Sequence, residues 1–182
     1  MQPSRLLRAL GSALATALIF AAGPAFAQAS EQAVKAAFIP KFMRYIGFPP
    51  AAQPAAGQPY YLCVIGRDPF GPLIDRAAAS EVIDGHPVAV RRFPNIDSEA
   101  VAGCHIAFVA GTSDASTAQM VEGLKRHPVL TVTDARSGRR KGMIHFAVVD
   151  GRVRFSIDQG SATGRGLTIS SRLLALAVEV KP

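Results

Sequence analysis

The sequence lacks an amino-terminal apolar segment long enough to cross a membrane. The apolar run at residues 9–22 has about 14 residues, whereas a spanning helix needs about 20. Two arginines precede the run, and no acidic residue occurs before Glu31. Ala25-Phe26-Ala27 then places small residues at the two positions that a signal peptidase reads. This order predicts a secretory signal peptide that is removed after Ala27.

A lipoprotein signal and a twin-arginine signal are also missing. No cysteine lies near the expected cleavage site, and no consecutive arginine pair precedes the apolar run. We therefore expect general secretory export of an unlipidated protein. Removal of residues 1–27 leaves 155 residues, which suits a single domain over residues 28–182.

Long blocks of positive charge are absent as well. Without the signal peptide, 18 basic residues stand against 13 acidic ones, a net charge of +5. The basic residues occur in short groups such as Arg91-Arg92 and residues 139–141, and aromatic residues do not interleave with them. This pattern disfavours nucleic acid as a partner. It suits a solvated surface, with weak attraction to anionic membranes as an alternative.

Histidine spacings typical of metal sites do not occur. None of the four histidines has a His-x-x-x-His partner; they are His86, His105, His127 and His145. His145 alternates with Ile144 and Phe146, so we expect it to point to solvent. The glycines at residues 160–166 lack the Gly-Lys-Ser/Thr ending of a nucleotide-binding loop. We therefore predict no catalytic residue, no metal and no cofactor, and thus a protein that is not an enzyme.

Three aspartates keep an alternative open. Asp68, Asp134 and Asp158 each follow a predicted strand, and binding sites of α/β folds usually lie at strand ends. Roles in turns and helix caps are the competing interpretation. The alternative function is a small-solute-binding or enzymatic α/β domain that uses these strand-end loops.

Hydrophobic patterning predicts an α/β fold. Short apolar runs at residues 60–65, 105–110 and 129–133 predict buried strands, and helical segments at 73–79 and 116–125 lie between or beside them. This order predicts a mixed, mostly parallel sheet with helices on both faces.

The carboxy-terminal third shows a different pattern. Residues 143–149 and 152–157 alternate around Asp150-Gly151, which predicts an antiparallel hairpin at one edge of the sheet. A polar loop at residues 158–166 follows the hairpin. Apolar residues at helical spacing then predict a helix over residues 167–180.

A further helix is predicted at the start of the exported domain. Residues 31–46 carry apolar side chains close to helical spacing, and Ser30 is a natural N-cap. Pro40 is an objection, because proline removes a helical hydrogen bond and kinks the helix.

Two cysteines, Cys63 and Cys104, remain in the exported domain. An oxidising compartment favours a disulfide, and only one intrachain pairing exists. If the strands that carry them are parallel neighbours, both cysteines lie at the same edge of the sheet. Two small buried side chains without a bond are the alternative.

Six segments cover nearly the whole exported domain: residues 37–49, 62–71, 104–109, 129–134, 142–158 and 166–174. Together and in this order they resemble the YfiR-like family of exported regulators, although Phe48 stands where the family often has tryptophan.

The resemblance implies a periplasmic protein that restrains an inner-membrane diguanylate cyclase, and thereby cyclic-di-GMP signalling and biofilm formation. It implies the periplasmic sensor part of that cyclase as partner and an outer-membrane protein as a second one; a homodimer is a further candidate assembly. The resemblance also implies a redox-sensitive disulfide at Cys63 and Cys104.

The expected partner surface lies in the carboxy-terminal third. A hairpin at a sheet edge offers unpaired backbone groups to another chain. The contact residues that we predict are Ile157, Arg165, Leu167, Ile169 and Arg172. The two arginines supply charge complementarity, and Leu167 and Ile169 supply exposed apolar anchors. Packing of both apolar side chains on the sheet is the alternative.

Overall fold

The computed structural model describes residues 23–139 and 141–182. Most of the predicted signal peptide therefore lies outside the described residues, as does Arg140. The helices are α1 Gly23–Phe42, α2 Pro72–Ala79, α3 Ser98–Gly103, α4 Asp114–Gly123, α5 Gln159–Thr163 and α6 Ser171–Leu174. The strands are β1 Ile46–Gly47, β2 Tyr60–Gly66, β3 Val82–Ile83, β4 His86–Phe93, β5 Ile106–Ala110, β6 Leu130–Asp134, β7 Ile144–Val149, β8 Arg152–Asp158, β9 Thr168–Ile169 and β10 Glu179–Lys181.

The main sheet has the strand order β10-β8-β7-β6-β5-β2-β4-β3. Strands β4, β2, β5, β6 and β7 run parallel; β3 is antiparallel to β4, β8 is antiparallel to β7, and β10 is parallel to β8. This arrangement confirms the predicted mixed, mostly parallel sheet. The central strands are buried on both sides and consist of nearly continuous apolar runs, as parallel strands do.

Alternate residues of the central strands β2 and β5 pack into two separate hydrophobic cores, one on each face of the sheet. Leu62 and Val64 of β2 pack with α1 and α2 on the first face of the sheet. Cys63 and Ile65 pack with α4 on the second face. Helices therefore lie on both faces, as predicted. Gly66 ends β2 with φ 85°, and a Cβ there would lie 2.3 Å from the Ala110 carbonyl oxygen, so the close approach of β2 and β5 requires glycine.

The hairpin exists, but its position differs from the prediction. Asp150 and Gly151 both have positive φ, at 50° and 71°, which suits the tight turn between β7 and β8. However, β7 is parallel to β6, so of the two hairpin strands only β8 runs opposite to the parallel strands. Moreover, β10 pairs with Ser156–Asp158 and covers that part of β8, which places the hairpin inside the edge of the sheet.

The predicted helix over residues 167–180 is wrong. The segment forms β9, the four-residue α6 and β10 instead. Thr168 and Ile169 are β-branched and pair with β1, and Val178-Glu179-Val180 alternates as a strand does. The apolar spacing was ambiguous because a short helix between two strands buries Leu167 and Leu173 equally well.

The first helix also differs from its prediction. It spans Gly23–Phe42, so Ser30 lies within it and is not its N-cap. Pro40 is tolerated close to the end of the helix, which gives way to a 3-10 turn at Met43–Tyr45 and then to β1.

Candidate functional site

The segment after β8 folds back onto the start of the domain. Asp158 caps α5, since its Oδ1 accepts a hydrogen bond from the Ser161 N–H at 2.7 Å. Burial opposes the Asp158 charge, but the Ser161 hydrogen bonds and the Lys181 ammonium outweigh it and lower the pKa of Asp158. Asp158 is thus occupied as a capping residue.

The short strands β1 and β9 form a two-stranded ribbon, which connects the first part of the domain with its last part. Ile169 of β9 lies opposite Ile46 of β1, and the Ser170 N–H donates to the Tyr45 carbonyl at 2.9 Å. No sequence pattern predicts this contact, because the two strands have two residues each and are separated by more than 120 positions. The ribbon fixes the orientation of the following α6 and its Arg172.

The five predicted partner-binding residues are distributed between core and surface. Ile157 is 1% exposed and Leu167 is 0% exposed, so neither is a surface anchor and the expectation of an exposed Leu167 is corrected. Ile169 is half-buried and Arg172 is exposed. We call Thr168, Ile169 and Arg172 the C-terminal surface. Arg165 is half-buried and its side chain lines a cavity on the second face of the sheet.

Cys63 and Cys104 form a disulfide in the structure, with 5.8 Å between their Cα atoms. This is the pairing expected from the sequence. Cys63 lies within β2 and Cys104 directly before β5, which are parallel neighbours, and both side chains are buried in the core beneath α4. The bond closes a loop with a sequence separation of 41.

A buried ion cluster lies where β6 ends, and the sequence analysis missed it. Lys35 of α1 is 0% exposed and donates to Glu31 and, at 2.6 Å, to Asp134 Oδ2. Arg136 donates to both carboxylate oxygens of Glu31, the shortest contact being 2.6 Å. The Arg136 hydrogen bonds, together with those of Lys35, hold the pKa of Glu31 at about 2 against the opposing effect of burial. The i, i+4 spacing of Glu31 and Lys35 is typical of an ion pair on a helix, and it is the sequence pattern that could have indicated this part of the cluster.

The strand-end aspartates behave as structural residues. Asp134 belongs to the ion cluster, and its Oδ1 accepts from the Arg136 N–H at 3.1 Å. Asp68 accepts backbone hydrogen bonds from Phe70 and Gly71 and pairs with Arg92 at 2.8 Å. Arg92 also contacts Asp75 at 2.7 Å. The geometry thus favours turn and ion-pair roles for Asp68 and Asp134 over a solute site at the loops that carry them.

Two histidines, His145 and His105, have hydrogen bonds within the fold, and His145 is buried whereas His105 is half-buried. His145 is 7% exposed and contacts the Thr133 hydroxyl at 2.8 Å, so the prediction that it points to solvent is wrong. It is covered by the connection between β6 and β7, whose Gly142 N–H donates to Thr133 Oγ1 at 2.7 Å. His105 Nδ1 accepts from the Tyr61 N–H at 3.0 Å, and burial, aided by Arg91, lowers the pKa of His105 to about 4.

A cavity of about 450 Å³ opens on the second face of the sheet, beside the part covered by α4. Its floor includes Thr131 of β6 and Ser156 of β8. Five cationic and two acidic side chains line it, so we call it the cationic pocket: Lys125, Arg139, Lys141, Arg165 and Lys181 against Asp158 and Glu179. Lys141 and Lys181 form long ion pairs with the acidic residues, at 3.6 and 3.4 Å.

Another cavity, of about 400 Å³, lies beside the disulfide, where the chain enters β5 and β6. The alanine- and proline-rich loop after β1 forms one wall, and Tyr61, Cys104 and His105 form part of the other. Neither this cavity nor the cationic pocket is lined by Asp68 or Asp134.

The described residues contain no group of three or more His, Cys, Asp or Glu side chains that could hold a metal ion. Among the helices formed by residues 23–139 and 141–182, none combines the length and apolar character that a membrane crossing requires.

The comparisons with known proteins identify a family. No functionally characterised protein matches the sequence at a significant level. The model of the YfiR/HmsC-like family, by contrast, matches residues 32–178. This match begins within α1 and ends before β10; it includes the disulfide, the C-terminal surface, most of the cationic pocket and, apart from Glu31, the ion cluster. The chain therefore belongs to the YfiR/HmsC-like family.

Proposed function

We propose that this protein is a periplasmic regulatory binding protein that restrains an inner-membrane diguanylate cyclase by contacting the periplasmic part of that cyclase. The observation that carries the proposal is the family match over residues 32–178, since YfiR/HmsC-like proteins are associated with such regulation. In this proposal residues 1–27 are the export signal, and residues 28–182 act as one domain.

The C-terminal surface is the proposed contact with the cyclase. Arg172 is exposed at the start of α6, and Ser170 caps that helix through the Arg172 N–H. Ile169 is half-buried on the β1–β9 ribbon next to it, so an apolar contact and a positive charge adjoin on a rigid element. Such a combination suits an interface with an apolar centre and a charged rim.

The buried residues of the region have a supporting role in this proposal. Leu167 and Ile157 lie in the core and hold the chain on either side of α5. They position the C-terminal surface without touching the partner. Charge complementarity at Arg172 then acts mainly on the association rate, which falls as salt is added.

Binding to the periplasmic part of a cyclase from the same source tests the proposal. We expect Arg172→Glu to weaken binding roughly 3- to 10-fold through a slower association rate at low salt, and Ile169→Ala to weaken it mainly through faster dissociation. Arg76→Glu is the matched control, because Arg76 is equally exposed but lies on α2. Circular dichroism establishes that each variant is folded.

The outcomes separate the function from the surface. If the unmodified protein binds no cyclase and its deletion leaves cellular cyclic-di-GMP unchanged, the regulatory function is wrong. If it binds, but the variants at Arg172 and Ile169 bind as well as Arg76→Glu, the function stands and the contact surface lies elsewhere.

A further inference from the structure

We infer that the cationic pocket is a binding site for a small anionic solute that carries a phosphate or carboxylate group. The first observation is the imbalance of charge in a concave site. Five cations and two carboxylates converge on about 450 Å³, a volume within the usual range of small-molecule sites. The inference is independent of the proposed function, because it concerns the isolated protein.

The second observation is an unpartnered donor. The Nη1 atom of Arg165 is buried and has no hydrogen-bond partner among the described residues. A buried donor that remains unpaired is costly, and a guanidinium is a preferred donor for two oxygens of a phosphate or carboxylate. The carboxylate closest along the chain, Asp158, is already occupied by Ser161 and Lys181. Arg165 as a whole is half-buried and lines the pocket, so an anion from solution would meet its guanidinium there, and a turn of the side chain would bring Nη1 to that anion without breaking the cap of α5.

The third observation is the origin of the pocket in the fold. On the second face, α4 covers the apolar part of the sheet, and the pocket lies beside it, between Ser156 of β8 and Ser161 of α5. The lining side chains come from separate elements: Lys125 follows α4, Lys181 lies on β10, and Lys141 precedes β7. These three lysines pair with Glu122, Asp158 and Glu179 at 2.7, 3.4 and 3.6 Å, so the net positive charge of the pocket comes from Arg139 and Arg165, and an anion would neutralise it.

The elements that carry the cations are held in place independently of any ligand. Met143 N–H donates to Thr131 Oγ1 at 3.0 Å, which fixes the strand start next to Lys141. β10 is hydrogen-bonded to β8, which fixes Lys181 opposite Asp158. The pocket is therefore preorganised, and binding does not need to order the backbone first.

Calorimetric titration of the purified protein with inorganic phosphate and, separately, with citrate tests the inference. Ionic strength is held constant with sodium chloride, so that general screening does not change during the titration. We expect saturable 1:1 binding of at least one anion with a millimolar or lower Kd. Phosphate binding alone would assign a phosphate ligand, and citrate binding alone a carboxylate ligand.

Three variants connect binding to the pocket. Arg165→Gln should weaken binding roughly 10-fold or more, because a charge-assisted hydrogen bond is lost. Lys181→Gln changes a side chain that is 73% exposed, so it should remain folded and weaken binding roughly 3-fold. Arg76→Gln removes an equal charge from α2 and should bind like the unmodified protein. Absence of saturable binding to either anion, or equal weakening by Arg76→Gln, would overturn the inference.

Discussion

The half of the sheet formed by β4, β2 and β5 differs from the half formed by β6, β7, β8 and β10 in what covers its second face. In the first half α4 and the residues before β5 form an apolar core with Cys63, Ile65 and Val109. In the second half the connection between β6 and β7 covers Thr133 and His145 through hydrogen bonds. A helix can cover a sheet with apolar contacts, whereas a loop must have acceptors for its own N–H groups.

This difference explains where charge accumulates. The apolar half holds the disulfide in a second-face core of buried hydrophobic residues. The other half contains the buried Lys35 cluster on the side of α1 and the cationic pocket on the opposite face. The first half thus contributes mainly to stability. The two proposed binding sites are the cationic pocket, in the second half, and the C-terminal surface.

Removal of the disulfide tests the apolar half and should have the largest effect. The double variant Cys63→Ala and Cys104→Ala releases a loop of about 40 residues, which should lower the free energy of unfolding by about 4 kcal/mol in the chain-entropy model. Urea denaturation of both proteins measures the change. Mass spectrometry of the non-reduced protein should first show the linked peptide pair, and two freely alkylated thiols would contradict the bond.

Much of the sheet, in both halves, could be predicted from the sequence, for a physical reason. Strands buried on both sides consist of continuous apolar runs, and residues 60–65, 105–110 and 129–133 coincide with β2, β5 and β6 to within two residues. Asp150-Gly151 identified the hairpin because few residues other than glycine and aspartate adopt positive φ.

The polar side-chain contacts of the second half could be predicted much less well, because these residues have partners that are distant in sequence. His145 fits an alternating strand with a solvated face, and only the folded loop after β6 buries it. Lys35 contacts Asp134 across 99 positions. The residues of the cationic pocket come from α4, β6, β8, α5, β10 and the connections between them, so no local sequence pattern predicts the pocket.

Asp134→Ala tests the ion cluster of the second half and should have the next largest effect. Removal of one partner leaves Lys35 buried with Glu31 alone, and the loss of a buried partner typically costs about 3 kcal/mol or more. Asp75→Ala is the matched control, since Asp75 pairs with Arg92 and both side chains are more than 40% exposed. That variant should lose less than about 1 kcal/mol. Equal losses in urea denaturation would mean that burial does not distinguish the two ion pairs.

The pH dependence of stability should give the smallest effect, and its direction follows from Glu31. The Arg136 hydrogen bonds and Lys35 lower the pKa of Glu31 from 4.5 to about 2, so the folded protein holds this carboxylate charged at pH values where the unfolded chain is protonated. The stabilisation is therefore complete above about pH 4.5 and is lost as the pH falls towards 2. A shift of this size corresponds to at most about 3 kcal/mol, but Arg136 is half exposed and solvent screening reduces the expected contribution to on the order of 1 kcal/mol.

Glu31→Gln removes the titrating group, so the free energy of unfolding of this variant should be lower than that of the unmodified protein at pH 7, and the two should converge near pH 2. Urea denaturation at intervals of half a pH unit measures both curves; a difference between them that stays constant from pH 7 to pH 2 would show that the charge of Glu31 does not stabilise the fold.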